Sequence, residues 1–179
     1  MTQLRLRTRF AAATCALALC ISACGSSDPT GTGGVGTLSF TTWGEEYIED
    51  AIPVDPGDGS GFVDGWTLSY HKFLVNFQNI VVADAAGDMA ATMASSTLFD
   101  NTLPGVKTIV EFDDVPARSW DRVSYEIAPV TASTSLGAGV PQADKDLMLA
   151  GGYSLYVEAT ATKDQVQKTF AWGFAIGTR

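Results

Sequence analysis

Cysteine is nearly absent from this 179-residue chain, and the three it has, Cys15, Cys20 and Cys24, all lie near the start. From Gly25 onward there is none, so disulfides, thiolate zinc sites and iron–sulfur ligation are excluded there. Histidine is reduced to His71, so any Ser-His-Asp or Cys-His catalysis would have to run through that one ring. A Gly-x-Ser-x-Gly turn is missing: Ser60 stands in Gly57-Asp58-Gly59-Ser60-Gly61. Phosphate-cradling loops are missing too, since Gly31-Thr32-Gly33-Gly34 precedes no helical pattern and no P-loop lysine follows. Positive charge is scarce, with 11 Lys and Arg against 20 Asp and Glu, a balance that repels phosphate backbones and argues against nucleic acid as a partner. There is also no apolar run of the roughly 18–20 residues that would span a bilayer as a helix.

What is present begins with Arg5, Arg7 and Arg9 and no acid in the first ten residues, followed by an alanine-rich apolar stretch from Ala11 to Ala23. That is the layout of a secretory signal. Its end, Ile21-Ser22-Ala23-Cys24, resembles the lipobox of bacterial lipoproteins, with Ile21 where leucine is more usual. The resemblance covers residues 1–24. It implies cleavage between Ala23 and Cys24, acyl chains on the Cys24 sulfur and on its freed amine, and a membrane partner held through that anchor. Two or three acyl chains hold a protein stably where one does so marginally. Gly25 and Ser26, in place of the aspartate that retains such proteins in the inner membrane, imply the outer membrane, with the periplasmic or surface face left open. Ordinary secretion after Ala23 is the competing reading.

Removing residues 1–23 leaves about 156 residues, enough for one domain with a core, and raises the net charge to about −12 because three of the basic residues depart with the signal. Residues 24–37, the cysteine and a Gly/Ser/Thr-rich stretch, cannot bury enough apolar surface to fold and read as a tether reaching about 20 Å. The domain is expected over 38–179. Its last residues, Phe174 to Arg179, keep a strand pattern to the end of the chain, which suggests a longer gene product.

Within the domain the periodicity is that of strands. Thr37 to Trp43 is short and rich in threonine and aromatics. Trp66 to Val82 alternates, but Trp66, Leu68 and Tyr70 share one parity and Phe73, Val75 and Phe77 the other, so a bulge is expected near His71-Lys72. A turn at Ala85 to Asp88 closes that strand. Residues 89–104 read as an irregular edge strand and loop, Thr108–Phe112 and Arg122–Ile127 as strands, and Asp113 to Pro116 as a turn between them. Pro141 to Ala150 predicts one short helix, stopped by Gly151-Gly152. The clearest hairpin pairs Leu155, Val157 and Ala159 with Phe170, Trp172, Phe174 and Ile176 around Lys163-Asp164-Gln165. In that pairing Trp172 is expected in the core. The class predicted is all-β, an antiparallel β-sandwich with one short helix. Val115-Pro116-Ala117 followed by Trp120-Asp121-Arg122-Val123 is similar to prealbumin-like or immunoglobulin-like domains of envelope lipoproteins over about thirty residues, a likeness that implies no catalytic residues.

Three groups invite chemistry. Glu45, Glu46, Glu49, Asp50, Asp55, Asp58 and Asp64 occur without one Lys or Arg among them. Within this stretch Asp58 to Asp64 resembles the middle of an EF-hand loop, but Pro56 and Thr67 fall where its first and last carboxylates belong. The expectation is a solvated acidic loop, with a looser Ca²⁺ site on Asp55, Asp58 and Asp64 as the alternative. Asp113, Asp114, Asp121 and Glu126 could pair as in a glycosidase, but neighbouring strand residues point to opposite faces. Trp120, flanked by Arg118, Ser119, Asp121 and Arg122, is the candidate for stacking on a sugar. The resulting expectation is a lipid-anchored binding or structural domain without catalysis, with a protein or glycan of the envelope as partner. A calcium-dependent or sugar-binding domain and a hydrolase through His71 or Asp121 are the rivals.

Overall fold

A computed structural model describes residues 33–177, so Cys24, the cleavage site and most of the tether lie outside the described residues. The architecture is mostly β and built around one long strand, as the alternating pattern of residues 66–82 predicts. That strand, β2 (Thr67–Ala83), has neighbours along both sides. On one side its first half pairs with β8 (Leu155–Lys163) and its second half with β6 (Arg122–Ile127). On the other side it pairs with β4 (Thr97–Asp100) and then β3 (Met89–Met93). All these pairings are antiparallel; β7 (Ser135–Leu136) adds a short parallel partner to β4, and β9 (Val166–Phe174) closes the other side on β8. A separate two-stranded sheet joins β1 (Val35–Thr42) to β5 (Lys107–Pro116).

Two bulges decide which side chains share a face of β2. The first lies between Tyr70 and Lys72, where the register with β8 shifts, as the parity change predicts. By adding one residue it brings Trp66, Leu68 and Tyr70 onto the face that carries Phe73. The second was not expected. It falls between Gln78 and Val81 against β6, with Asn79 at φ +50°, a conformation asparagine tolerates better than most residues. It turns Ile80 toward the same space as Phe77.

One face of the sheet is covered by α2 (Gln142–Gly151), the predicted helix, which starts after Pro141 and ends at Gly152 in the left-handed conformation. Met148, fully buried, packs there with Leu74, Leu98, Val130, Val140 and Tyr156. Lys72 donates to the buried Asp144 of α2 and ties helix to sheet. The ring of Tyr153 stacks beside Tyr156 and fits where Gly151 and Gly173 lack side chains; a Cβ on Gly173 would lie 2.3 Å from it. The opposite face is covered over the second half of β2 by the β1–β5 sheet. A cavity of about 290 Å³ between the two sheets is bounded by Phe40 and Ile109 on one and Phe77, Ile80 and Tyr125 on the other.

Several expectations need correction. Residues 89–104 hold the expected irregular edge strand, β3, and a closing turn, but also a second strand, β4, which lies inside the sheet with Leu98 and Phe99 buried, because its apolar pair faces both layers at once. Asp113 to Pro116 is not a turn: β5 continues through it, with Asp114 at φ +56° and Thr37 donating to Asp113. The acid-rich segment begins with a one-turn helix, α1 (Glu45–Glu49), whose Glu49 accepts from the backbone of Gly44 and Gly105. Finally, Trp172 is not in the core. It is 58% exposed, because the β1–β5 sheet reaches only half the length of β2.

Candidate functional site

Where the second layer stops, the sheet face remains open. The first half of β2 and the β8–β9 hairpin present Trp66, Leu68, Tyr70, Phe73, Leu155, Val157, Phe170, Trp172 and Phe174 to one groove of about 450 Å³, with Phe62 at its rim. Each strand contributes through its own alternation: even residues of β9, odd residues of β8, and β2 residues on both sides of the first bulge. Phe170 and Trp172 lie with ring centroids 4.5 Å apart and rings tilted by 30°, forming a broad aromatic floor. Phe174 is 41% exposed, so water meets this surface across several adjoining rings. Scattered apolar residues on a surface are ordinary, whereas a contiguous apolar patch of this composition is not.

Charge is confined to one end of the groove. Asp64 is the one acid that lines it. The ammonium of Lys168 stands 5.8 Å from the centre of the Trp66 ring, and Lys163 donates to the carbonyl of Asp64. Lys163 and Lys168 border that end without lining it, and together they exceed the Asp64 carboxylate by one positive charge, a balance that suits a ligand with an apolar body and an anionic head.

The loop before the groove uses its carboxylates on itself. Asp55 Oδ1 accepts from the backbone N–H of Gly57, Asp58 and Gly59 at 2.7, 3.0 and 3.0 Å, and the bond from Gly57 leads in holding that carboxyl below its usual range. Asp58 is held low first by the Ser60 hydroxyl and then by the Ser60 N–H. Asp64 accepts from Trp66 N–H. The Asp55 and Asp58 side chains meet in this turn but Asp64 does not join them, and among the described residues no group of three or more His, Cys, Asp or Glu side chains is placed to hold a metal ion. The acids here shape a turn that sets Phe62 beside the groove, Phe62 N–H donating to Pro53 and Asp55 N–H to Phe62.

No family model, no curated protein and no solved structure matches this chain.

The remaining sequence candidates are dispersed. Trp120 carries the Arg118 guanidinium 4.2 Å over its ring and donates through Nε1 to the Pro116 carbonyl. One of its faces is thereby occupied, and it lies outside the groove. His71, at the first bulge, meets the Thr160 hydroxyl at 2.6 Å. Asp121 accepts from Ala85 N–H beyond the far end of β2, at the opposite end of that strand from His71. Glu126 accepts from Gln78 and Asn79, locking the second bulge. Asp84 pairs with Arg118; burial opposes its ionisation, but the N–H groups of Asp88, Ala86 and Gly87 and the guanidinium outweigh it and keep its carboxyl low.

The groove residues were visible in the sequence as the apolar side of the last hairpin. The signal that could have separated groove from core is the mismatch between a 17-residue β2 and a second layer of only two strands.

Proposed function

We propose that this protein is a lipid-anchored envelope domain, without catalytic activity, that binds an acyl-type ligand bearing an anionic head. The observation that carries the reading is the open aromatic groove with Lys163 and Lys168 at one end. Its volume lies within the roughly 300–1,000 Å³ of small-molecule sites, and its lining is apolar with few polar groups, as such sites require. A glycan would need several donors and acceptors, and the groove supplies them chiefly at Asp64 and Tyr70. Anchoring at Cys24 to the outer membrane rests on the signal and lipobox resemblance and on Gly25-Ser26. Among the described residues no helix is long and apolar enough to cross a membrane.

The two parts of the reading fit together geometrically. The chain enters β1 beside Ala117, whose N–H donates to Gly34, and Arg118 next to it pairs with Asp84 just past β2. The groove occupies the other end of β2, more than ten residues along the strand from Asp84. A tether attached at Cys24 therefore leaves the groove clear of its own attachment point.

Dodecanoic acid titrated into the protein, followed by tryptophan fluorescence, tests the reading. Saturable binding is expected, weakened about tenfold or more by Trp172→Ala. Lys168→Glu should weaken dodecanoic acid and leave dodecanol unchanged. Failure of the wild-type protein to bind either compound saturably would remove the ligand reading.

A further inference from the structure

The outer edge of β9 has no strand beside it among the described residues, because the sheet order ends β2-β8-β9. A nine-residue strand with an unpaired edge is an aggregation hazard that proteins blunt with proline, charge, bulges or a covering element. β9 has little of this. Val-Gln-Lys-Thr-Phe-Ala-Trp-Gly-Phe contains no proline and one charge, and its pairing with β8 runs without a register shift from Lys163↔Val166 to Leu155↔Phe174. In a chain of net charge −9 it is also free of acid, and none occurs from Gln165 to Arg179. Other strands, β6 among them, also keep an unpaired edge among the described residues, but β9 is a nine-residue edge that carries no acid to repel a second copy.

We infer that two copies of this chain pair antiparallel through β9, with Phe170 on the two-fold axis. Centring on Phe170 is the register that uses all nine residues. In an antiparallel pair, directly opposed residues share a face, so each contact follows from the numbering. On the groove face, Val166 then opposes Phe174, Lys168 opposes Trp172, and Phe170 opposes its counterpart. The two aromatic floors become one, and each cation meets the exposed ring of the other copy. On the opposite face Gln167 opposes Gly173 and Thr169 opposes Ala171, small and uncharged pairs throughout. No like charges face each other. Moving the axis to Lys168 would set two ammonium groups face to face and shorten the ladder.

The consequence for binding rests on the ligand reading above: the joined sheet forms a double groove in which Lys168 of one copy borders Trp172 of the other. Lipid anchoring would favour the pairing, since confinement to a membrane raises effective concentration.

The purified protein examined by sedimentation velocity from about 5 to about 500 µM should show a concentration-dependent monomer–dimer equilibrium. The pair Thr169 and Ala171 is exposed and points away from the groove, so changes there leave its lining intact. Thr169→Glu with Ala171→Glu places like charges opposite twice and should weaken the dimer about tenfold or more. Thr169→Glu with Ala171→Lys makes both pairs complementary and should restore it, which no other register predicts. A wild-type protein that stays monomeric throughout, or a doubly acidic variant that dimerises as well as wild type, overturns the inference. Dodecanoic acid binding by the monomeric variant keeps the two proposals separable: pairing can fail while the groove still binds, and the reverse.

Discussion

Replacing Lys72 by methionine should cost about 3 kcal/mol of folding stability. Asp144 is 3% exposed and lies in the first turn of α2, over the sheet, with the Lys72 ammonium against it. Methionine keeps most of the apolar stem and removes the charge, so the carboxylate stays buried without its counter-ion. Breaking one side of a buried pair typically costs 3–5 kcal/mol; the Lys72 side chain is 30% exposed, which admits water and sets the expectation at the low end. Urea unfolding followed by circular dichroism measures the loss, with the m-value unchanged if the denatured state is unaffected. Lys72→Met combined with Asp144→Asn should recover most of it, because no buried charge remains, giving a coupling of about 2 kcal/mol. Groove binding below the transition should be unaltered, since α2 lies on the other face. A loss under about 0.5 kcal/mol, or strictly additive single and double variants, would refute the claim that this pair fastens α2.

Gly173→Ala should lower stability by about 1–3 kcal/mol, because its methyl would strike the Tyr153 ring; a melting temperature equal to wild type would show that the ring has room to move. Asn76 is fully buried and donates to the carbonyls of Ala128 and Pro129, so Asn76→Asp should cost about 3 kcal/mol at neutral pH and less in acid, where the new carboxyl is protonated; denaturation at two pH values checks it. Burial, and then the hydrogen bond to Glu158, push the Tyr156 phenol up to about 12. A raised folded value means that stability is complete below the ordinary value near 10 and falls as pH rises through 12, by up to about 1.4 kcal/mol per pH unit between them. Lys72, raised first by its hydrogen bond to Asp144, adds to the loss in the same direction above its ordinary value. Urea midpoints measured at alkaline pH should therefore fall less steeply in Tyr156→Phe than in wild type.

Several elements could be read directly, though not their order in the sheet. The last hairpin, β6, the helix after Pro141 and the bulge at His71 follow from local patterns: alternation, a helix-starting proline, a pair of stopping glycines and a change of parity. The second bulge left a fainter trace: Phe77 and Ile80 share a face across Gln78-Asn79, but the unbroken apolar run Ile80-Val81-Val82-Ala83 fits either parity, and only the β6 register exposes the extra residue. Asp113-Asp114 looked like a turn because acids before proline usually make one, yet pairing with β1 carried the strand through them.

The sequence by itself determined that this is an acidic β protein without thiols after Cys24, with one histidine and a hairpin whose alternate residues are large and apolar. Whether those residues form a core or a site was a tertiary matter. Alternation tells which side chains share a face, but the cover on that face comes from residues far away in the chain. Here the cover is the β1–β5 pair, and its reach ends near Phe77. Trp172 has the sequence pattern of a buried residue and the exposure of a surface one, because a second layer two strands wide cannot hide the whole face of a sheet built on a 17-residue strand.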